Sequence, residues 1–90
     1  MLLRKTRISA HAYRQLARRH LGDQVVLQVA LDPSEVVHVR PGREVRQSTV
    51  VDQATGKSYL VRVVVDVRSE ADVIVTAYQT SRAARYRRRT

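Results

Sequence analysis

A chain of 90 residues fits one domain and is long enough to bury only about three-fifths of its unfolded surface. It has no Phe, Trp or Cys, so its core must come from Val, Leu, Ile, Ala and parts of four Tyr, and disulfides and cysteine metal sites are excluded. Seventeen Lys plus Arg face eight Asp plus Glu for a net charge of +9, and 15 of the cations are Arg, whose planar fork grips phosphate, so nucleic acid is the leading partner expected, ahead of an anionic lipid or an acidic protein.

The opening Met1-Leu2-Leu3-Arg4-Lys5-Thr6-Arg7 lacks the apolar stretch of a secretory signal, and no run is long enough to span a bilayer. The expectation is a cytoplasmic protein with no membrane partner. Ser9 is a good helix cap and the segment from Ala10 to Leu21 has neither Gly nor Pro, which predicts a helix over about residues 10–20. With roughly 100° between successive residues, Ala12, Tyr13, Leu16 and Ala17 share the side to be buried. His11, Arg14, Gln15 and Arg18 gather on the opposite side, with Arg19 towards its edge; His20 falls on the buried one. Leu21-Gly22 ends this helix, and Asp23 caps a second that runs to about Leu31, before Asp32-Pro33 stops it.

After Pro33 the hydrophobic period shortens to two. Glu35 to Arg40 predicts a strand with Val37 and Val39 on one side and His38 and Arg40 on the other, followed by a turn at Pro41-Gly42. Glu44 to Asp52 is the next strand, and Gly56 supplies a positive φ for the hairpin that leads into Ser58 to Val67. In that third strand Tyr59, Val61, Val63, Val65 and Val67 oppose Leu60, Arg62, Val64 and Asp66. The last, Val73 to Thr80, sets Val73, Val75 and Ala77 against Ile74, Thr76, Tyr78 and Thr80, a row with three hydroxyls. The predicted fold class is therefore α+β: two N-terminal helices packed on one face of a four-stranded antiparallel sheet, with the other face open. Residues 1–81 form this domain, with charge +4, and residues 82–90 a basic C-terminal tail.

The eight carboxylates are scattered, the three His lack ligand spacing and the three Gly are isolated turn residues, so no metal motif or phosphate loop is evident. RNA brings its own nucleophile, a 2′-OH beside a phosphodiester, and needs only a base, a cation or hydroxyl for the phosphorane, and an acid. His11 has the side chain suited to proton transfer near neutrality, against the plainer alternative of a solvated helix residue. His38 is an alternative base. Arg62 interrupts an apolar strand, as a cation for RNA or as a partner of Asp66. The hydroxyls of Thr76 and Tyr78 serve either a site or water.

Ile8-Ser9-Ala10-His11-Ala12, Asp32-Pro33-Ser34-Glu35-Val36, Leu60-Val61-Arg62-Val63-Val64-Val65 and Val75-Thr76-Ala77-Tyr78-Gln79-Thr80-Ser81-Arg82 together resemble a family of small bacterial and phage domains. That family is placed with the barnase, EndoU, colicin and RelE-like ribonuclease superfamily, many of whose members are toxins. The resemblance spans almost the whole chain. It implies a site between the first helix and the open sheet face, in which His11 stands for the family's first-helix histidine, Arg19 for a later basic residue, and Thr76 and Tyr78 for the polar pair of the last strand. Members commonly carry Arg where this chain has Gln15, with Arg14 or Arg18 as its substitute here. The expectation is a cofactor-free, metal-independent endoribonuclease or ribonuclease-like toxin. His11 is its acid or base, Thr76 and Tyr78 orient or protonate, and Arg14, Arg18, Arg19, Arg40, Arg62 and Arg82 bind RNA. An acidic antitoxin or immunity protein is the partner expected with it. The competing expectations are a non-catalytic nucleic-acid-binding module and a protein-interaction adaptor.

Overall fold

The computed structural model describes residues 5–81, and the expected basic tail from Arg82 onward lies outside them. The elements run β1 (Lys5–Ile8), α1 (Ala10–Arg18), α2 (Asp23–Leu31), β2 (Glu35–Arg40), β3 (Arg43–Val51), β4 (Ser58–Val67) and β5 (Ala71–Thr80). The α+β class stands, but the expected four-stranded antiparallel sheet does not: five strands are ordered β1-β5-β4-β3-β2, and β1 pairs with β5 in parallel, from Lys5↔Ala71 to Ile8↔Ile74. The reason is visible in β1 itself. Only Ile8 of its four residues is buried, so it has no alternation to read, and its partner lies more than sixty residues away.

Alternation holds in β4. Val61, Val63 and Val65 are buried under the helices with Ala12 and Leu16 of α1 and Val26, Val29 and Ala30 of α2. In β5 a register shift opposite Val64/Val65 leaves Val75 as an extra residue, so Ile74 pairs with Val65 and Thr76 with Val64. Ile74 and Ala77 consequently face the helices, and Val73, opposite Asp66, faces away, which reverses the expected assignment of residues 73 and 74. A second shift between His38 and Arg40 leaves Val39 56% exposed instead of matched with Val37. The sheet face away from the helices is also less open than its polar residues suggest, since Val45, Gln47, Leu60 and Val73 on it are buried.

Ser9 caps α1 as expected, its Oγ accepting from the Ala12 N–H at 3.1 Å. At the other end the Leu21 N–H donates to Leu16 O (3.0 Å) and the His20 N–H to Ala17 O (3.4 Å), with His20 at φ 53°. This is the Schellman closure, in which glycine ordinarily fills the left-handed position that His20 holds here. Gly22, not Asp23, is the N-cap of α2. The far end of α2 rests on Arg46, whose Nη1 donates to Ala30 O at 2.9 Å while Nε reaches Glu44 (2.7 Å) and Nη2 reaches Asp72 (3.1 Å).

Candidate active site

β1 covers the margin of β5 only as far as Ile74, and the carbonyls beyond it would otherwise form an unpaired edge. Helix α1 takes over. The Ser9 N–H donates to Ile74 O at 3.0 Å, and further along Arg19 Nη1 donates to Ala77 O at 2.6 Å. The same Nη1 is 3.3 Å from Thr76 Oγ1, and the Thr76 hydroxyl donates to Gln15 Oε1. His11, Gln15 and Arg19 are four residues apart, so they form one stripe along α1. The helix thus brings a carboxamide and a guanidinium to one hydroxyl of the strand, with His11 one turn before Gln15 on the same stripe.

His11 is exposed and makes no hydrogen bond or ion pair among the described residues. Gln15, expected on the solvent side, is half-buried against β5, whereas Tyr13, expected inside, is 51% exposed. Ala17 is exposed too, so the buried side of α1 narrows to Ala12 and Leu16. A short helix lying along a sheet margin buries a narrower strip than one lying flat on a sheet, and its flank can then bond to the edge. His20 is exposed because α1 ends before it.

Tyr78 and Arg62 belong to a different set of contacts. Glu35, Gln47, Arg62 and Tyr78 are successive register partners across four strands and lie on the face away from the helices. Gln47 Nε2 donates to Glu35 Oε1 (2.6 Å), Arg62 Nε to Gln47 Oε1 (2.8 Å) and Arg62 Nη1 to the Tyr78 hydroxyl (2.5 Å). The Arg62 guanidinium is 5.7 Å from the centre of the Tyr78 ring. Gln47, only 1% exposed, is the centre of this row, and sequence reasoning passed over it. Its one signal was a glutamine in a strand two residues from Val45. Arg62 is not the partner of Asp66, which is held by Arg43 through Nε (2.6 Å) and Nη2 (3.0 Å). Thr76 and Tyr78, two residues apart on β5, are therefore engaged from different directions. No hydrogen bond joins His11 to either of them among the described residues.

Charge pairing separates the arginines. Arg43, Arg46 and Arg68 have carboxylates within 4.0 Å, as Asp66, Glu44 and Asp72. Arg14 and Arg18 of α1 and Arg19 at its C-cap have none among the described residues, so three exposed arginines without a carboxylate partner belong to this one helix and its cap. Arg40, exposed at the β2–β3 turn, lines a shallow cleft with His38 and Arg43, away from α1. His38 is 3.9 Å from Glu44. No cluster of three or more His, Asp or Glu suited to a metal ion occurs among the described residues, and none of the described helices is long and apolar enough to cross a membrane.

No curated protein and no solved structure matches the chain. Residues 8–79, which hold the α1 stripe, the polar row and the whole sheet except the first three residues of β1 and the last of β5, match the family described as "Domain of unknown function (DUF4258)", and the chain belongs to that family.

Proposed function

We propose that this domain is a metal-independent endoribonuclease of the RelE-like kind, working along the seam between α1 and β5. Its main support is the α1 stripe, with His11 one turn before Gln15 and two before Arg19, the last two bonded to the Thr76 hydroxyl, on a helix whose three arginines meet no carboxylate among the described residues. In the proposed reaction the His11 imidazole takes the proton of a ribose 2′-OH as that oxygen attacks the adjacent phosphorus. Arg19 and Thr76 hold the phosphoryl oxygens and offset the charge that gathers on them. The bond from phosphorus to the 5′-oxygen breaks, and that oxygen receives a proton, a role assigned to Tyr78. The products are a 2′,3′-cyclic phosphate and a 5′-hydroxyl, and protonated His11 returns its proton through water to restore the site.

Arg14 and Arg18 extend the cationic flank along which RNA would lie, with Arg62 and Arg40 further out. The proposal carries with it a cytoplasmic setting and an acidic antitoxin or immunity protein able to cover that flank. Its test is incubation of the purified protein with RNA in the presence of a chelator, with the termini of the products identified. His11→Ala is expected to lower the cleavage rate by about 10²- to 10⁴-fold, the usual range for a positioned acid or base, without moving the unfolding midpoint. Equal cleavage by wild type, His11→Ala and Tyr78→Phe would remove these side chains from the mechanism.

A second reading, a non-catalytic RNA-binding module, is favoured by one observation: Gln15 stands where the resembling family commonly has Arg, and its carboxamide holds the Thr76 hydroxyl. Salt-sensitive RNA binding without any cleavage product would select it.

A further inference from the structure

Past Arg19 the α1–β5 seam opens into a cleft of about 290 Å³ between the α1–α2 corner and the ends of β3 and β4. Its floor is apolar, from Val25, Val50 and Val61, and its polar lining comes from His20, Asp52, Tyr59 and Gln79. We propose that this cleft seats one base of the bound RNA, beside the phosphate held at Arg19, and prefers a base with an exocyclic amino group over uracil. The inference rests on the RNA reading above.

Position is the first argument. His20 directly follows Arg19, and Gln79 lies two residues beyond Ala77, whose carbonyl receives Arg19, about 7 Å along the strand at the usual rise. Ala77 and Gln79 also share a sheet face, since they pair with Val63 and Val61. A phosphate at Arg19 therefore has its neighbouring nucleoside within reach of the cleft. The size suits one flat ring system, being at the small end of ligand cavities.

Chemistry is the second. An apolar floor beside the half-buried Tyr59 ring offers a surface on which a base stacks. Asp52 repels phosphate, so in a strongly basic protein a carboxylate at this place selects for a neutral group that donates N–H. A carboxylate only accepts. Adenine, cytosine and guanine each present an amino group to it, whereas uracil sets two carbonyl oxygens beside its single N–H. Asp52 Oδ1 already accepts the Ala54 N–H at 2.9 Å, and a carboxylate has capacity for further donors.

The third is His20. At φ 53° it occupies a left-handed position where glycine sits without penalty, and the side chain kept there lines the cleft.

The test is a titration of the full chain with the 3′-monophosphates of guanosine, adenosine, cytidine and uridine, followed through backbone amide shifts. Shifts at Leu21, Gly22 and Gln79 are expected for the three amino-bearing nucleotides, with uridine 3′-monophosphate about tenfold weaker, in line with a well-placed base-edge contact. Asp52→Asn keeps the Oδ1 that closes the turn and should erase the preference. His20→Gly should bind more weakly yet unfold at a higher temperature, a combination that a purely structural histidine would not give. Equal affinity for uridine 3′-monophosphate, or preference retained in Asp52→Asn, would overturn the proposal. Selective nucleotide binding at these amides without RNA cleavage would leave the cleft standing and remove only the catalytic reading; cleavage indifferent to base would do the reverse.

Discussion

Arg46 and Arg19 each donate Nη1 to a main-chain carbonyl of a neighbouring element, Arg46 to Ala30 at 2.9 Å and Arg19 to Ala77 at 2.6 Å. Their surroundings then diverge. The Arg46 side chain is 14% exposed beneath the end of α2; burial works to lower its pKa, but the bonds to Glu44 and Asp72 outweigh this and hold it above its ordinary value. The remaining side-chain hydrogen bond of Arg19 among the described residues is to a neutral hydroxyl, at the exposed end of α1. Carboxylates thus decide the fate of an arginine in this protein. Arg46 has its charge satisfied inside the fold and also favours the negative end of the α2 dipole. Arg19 is oriented by the fold and has no carboxylate beside it among the described residues.

The largest effect that separates the two is expected from Arg46→Ala. Removing this cation leaves Glu44 and the buried Asp72 without it and uncaps Ala30, and loss of one member of such a network is typically worth about 3 kcal/mol or more. Urea unfolding measures it. RNA binding by the fraction still folded should be unaltered. Arg19→Ala is expected to cost less, about 1 kcal/mol for the bond lost to the Ala77 carbonyl, with no carboxylate left behind. Its RNA affinity should drop, and the slope of log affinity against log salt should become shallower by about one phosphate contact. If Arg19→Ala unfolds the protein as readily as Arg46→Ala, the distinction drawn from carboxylate pairing is wrong.

How much of this was legible in the sequence follows from which forces act locally. The alternation of β4 and the cap at Ser9 are written in neighbouring residues, and both were readable. β1 was not, because three of its four residues stay out of the core and its hydrogen bonds are made with a strand at the opposite end of the chain. The extra residue Val75 was invisible for a related reason: a bulge is defined by the partner strand, and a run of Val, Ile and Thr looks the same with or without it. That one shift exchanged the faces of Val73 and Ile74. The site was partly legible. His11, Gln15 and Arg19 have helical spacing in any reading, but whether Gln15 faced solvent or Thr76 depended on α1 lying along the margin of β5. The polar row depended on the register of four strands at once, so the spacing of Gln47 from Val45 was too little to mark its place.

Between the two extremes of Arg46 and Arg19 lies Arg43, which grips Asp66 with two bonds near the surface, and it carries the smallest effect expected here. The Arg43 hydrogen bond holds the Asp66 carboxyl below its ordinary pKa; burial pulls the other way, and the charges of Arg43, Arg68 and Arg40 add to the lowering. A carboxyl whose pKa is lower in the folded chain than in the unfolded one contributes stability fully above the unfolded value, and that contribution is lost as pH falls through the folded one. Wild type should therefore exceed Asp66→Asn in unfolding free energy at about pH 7, and the gap should begin to close below about pH 4, where the unfolded carboxyl takes up its proton, and shrink further as pH falls through the lower folded value. The pair is partly exposed, Arg43 by 32% and Asp66 by 21%, so the gap should also shrink in high salt. Urea unfolding of both proteins at about pH 7 and about pH 3 decides it. A gap that persists unchanged at the lower pH would mean that Asp66 contributes through packing and not through its charge.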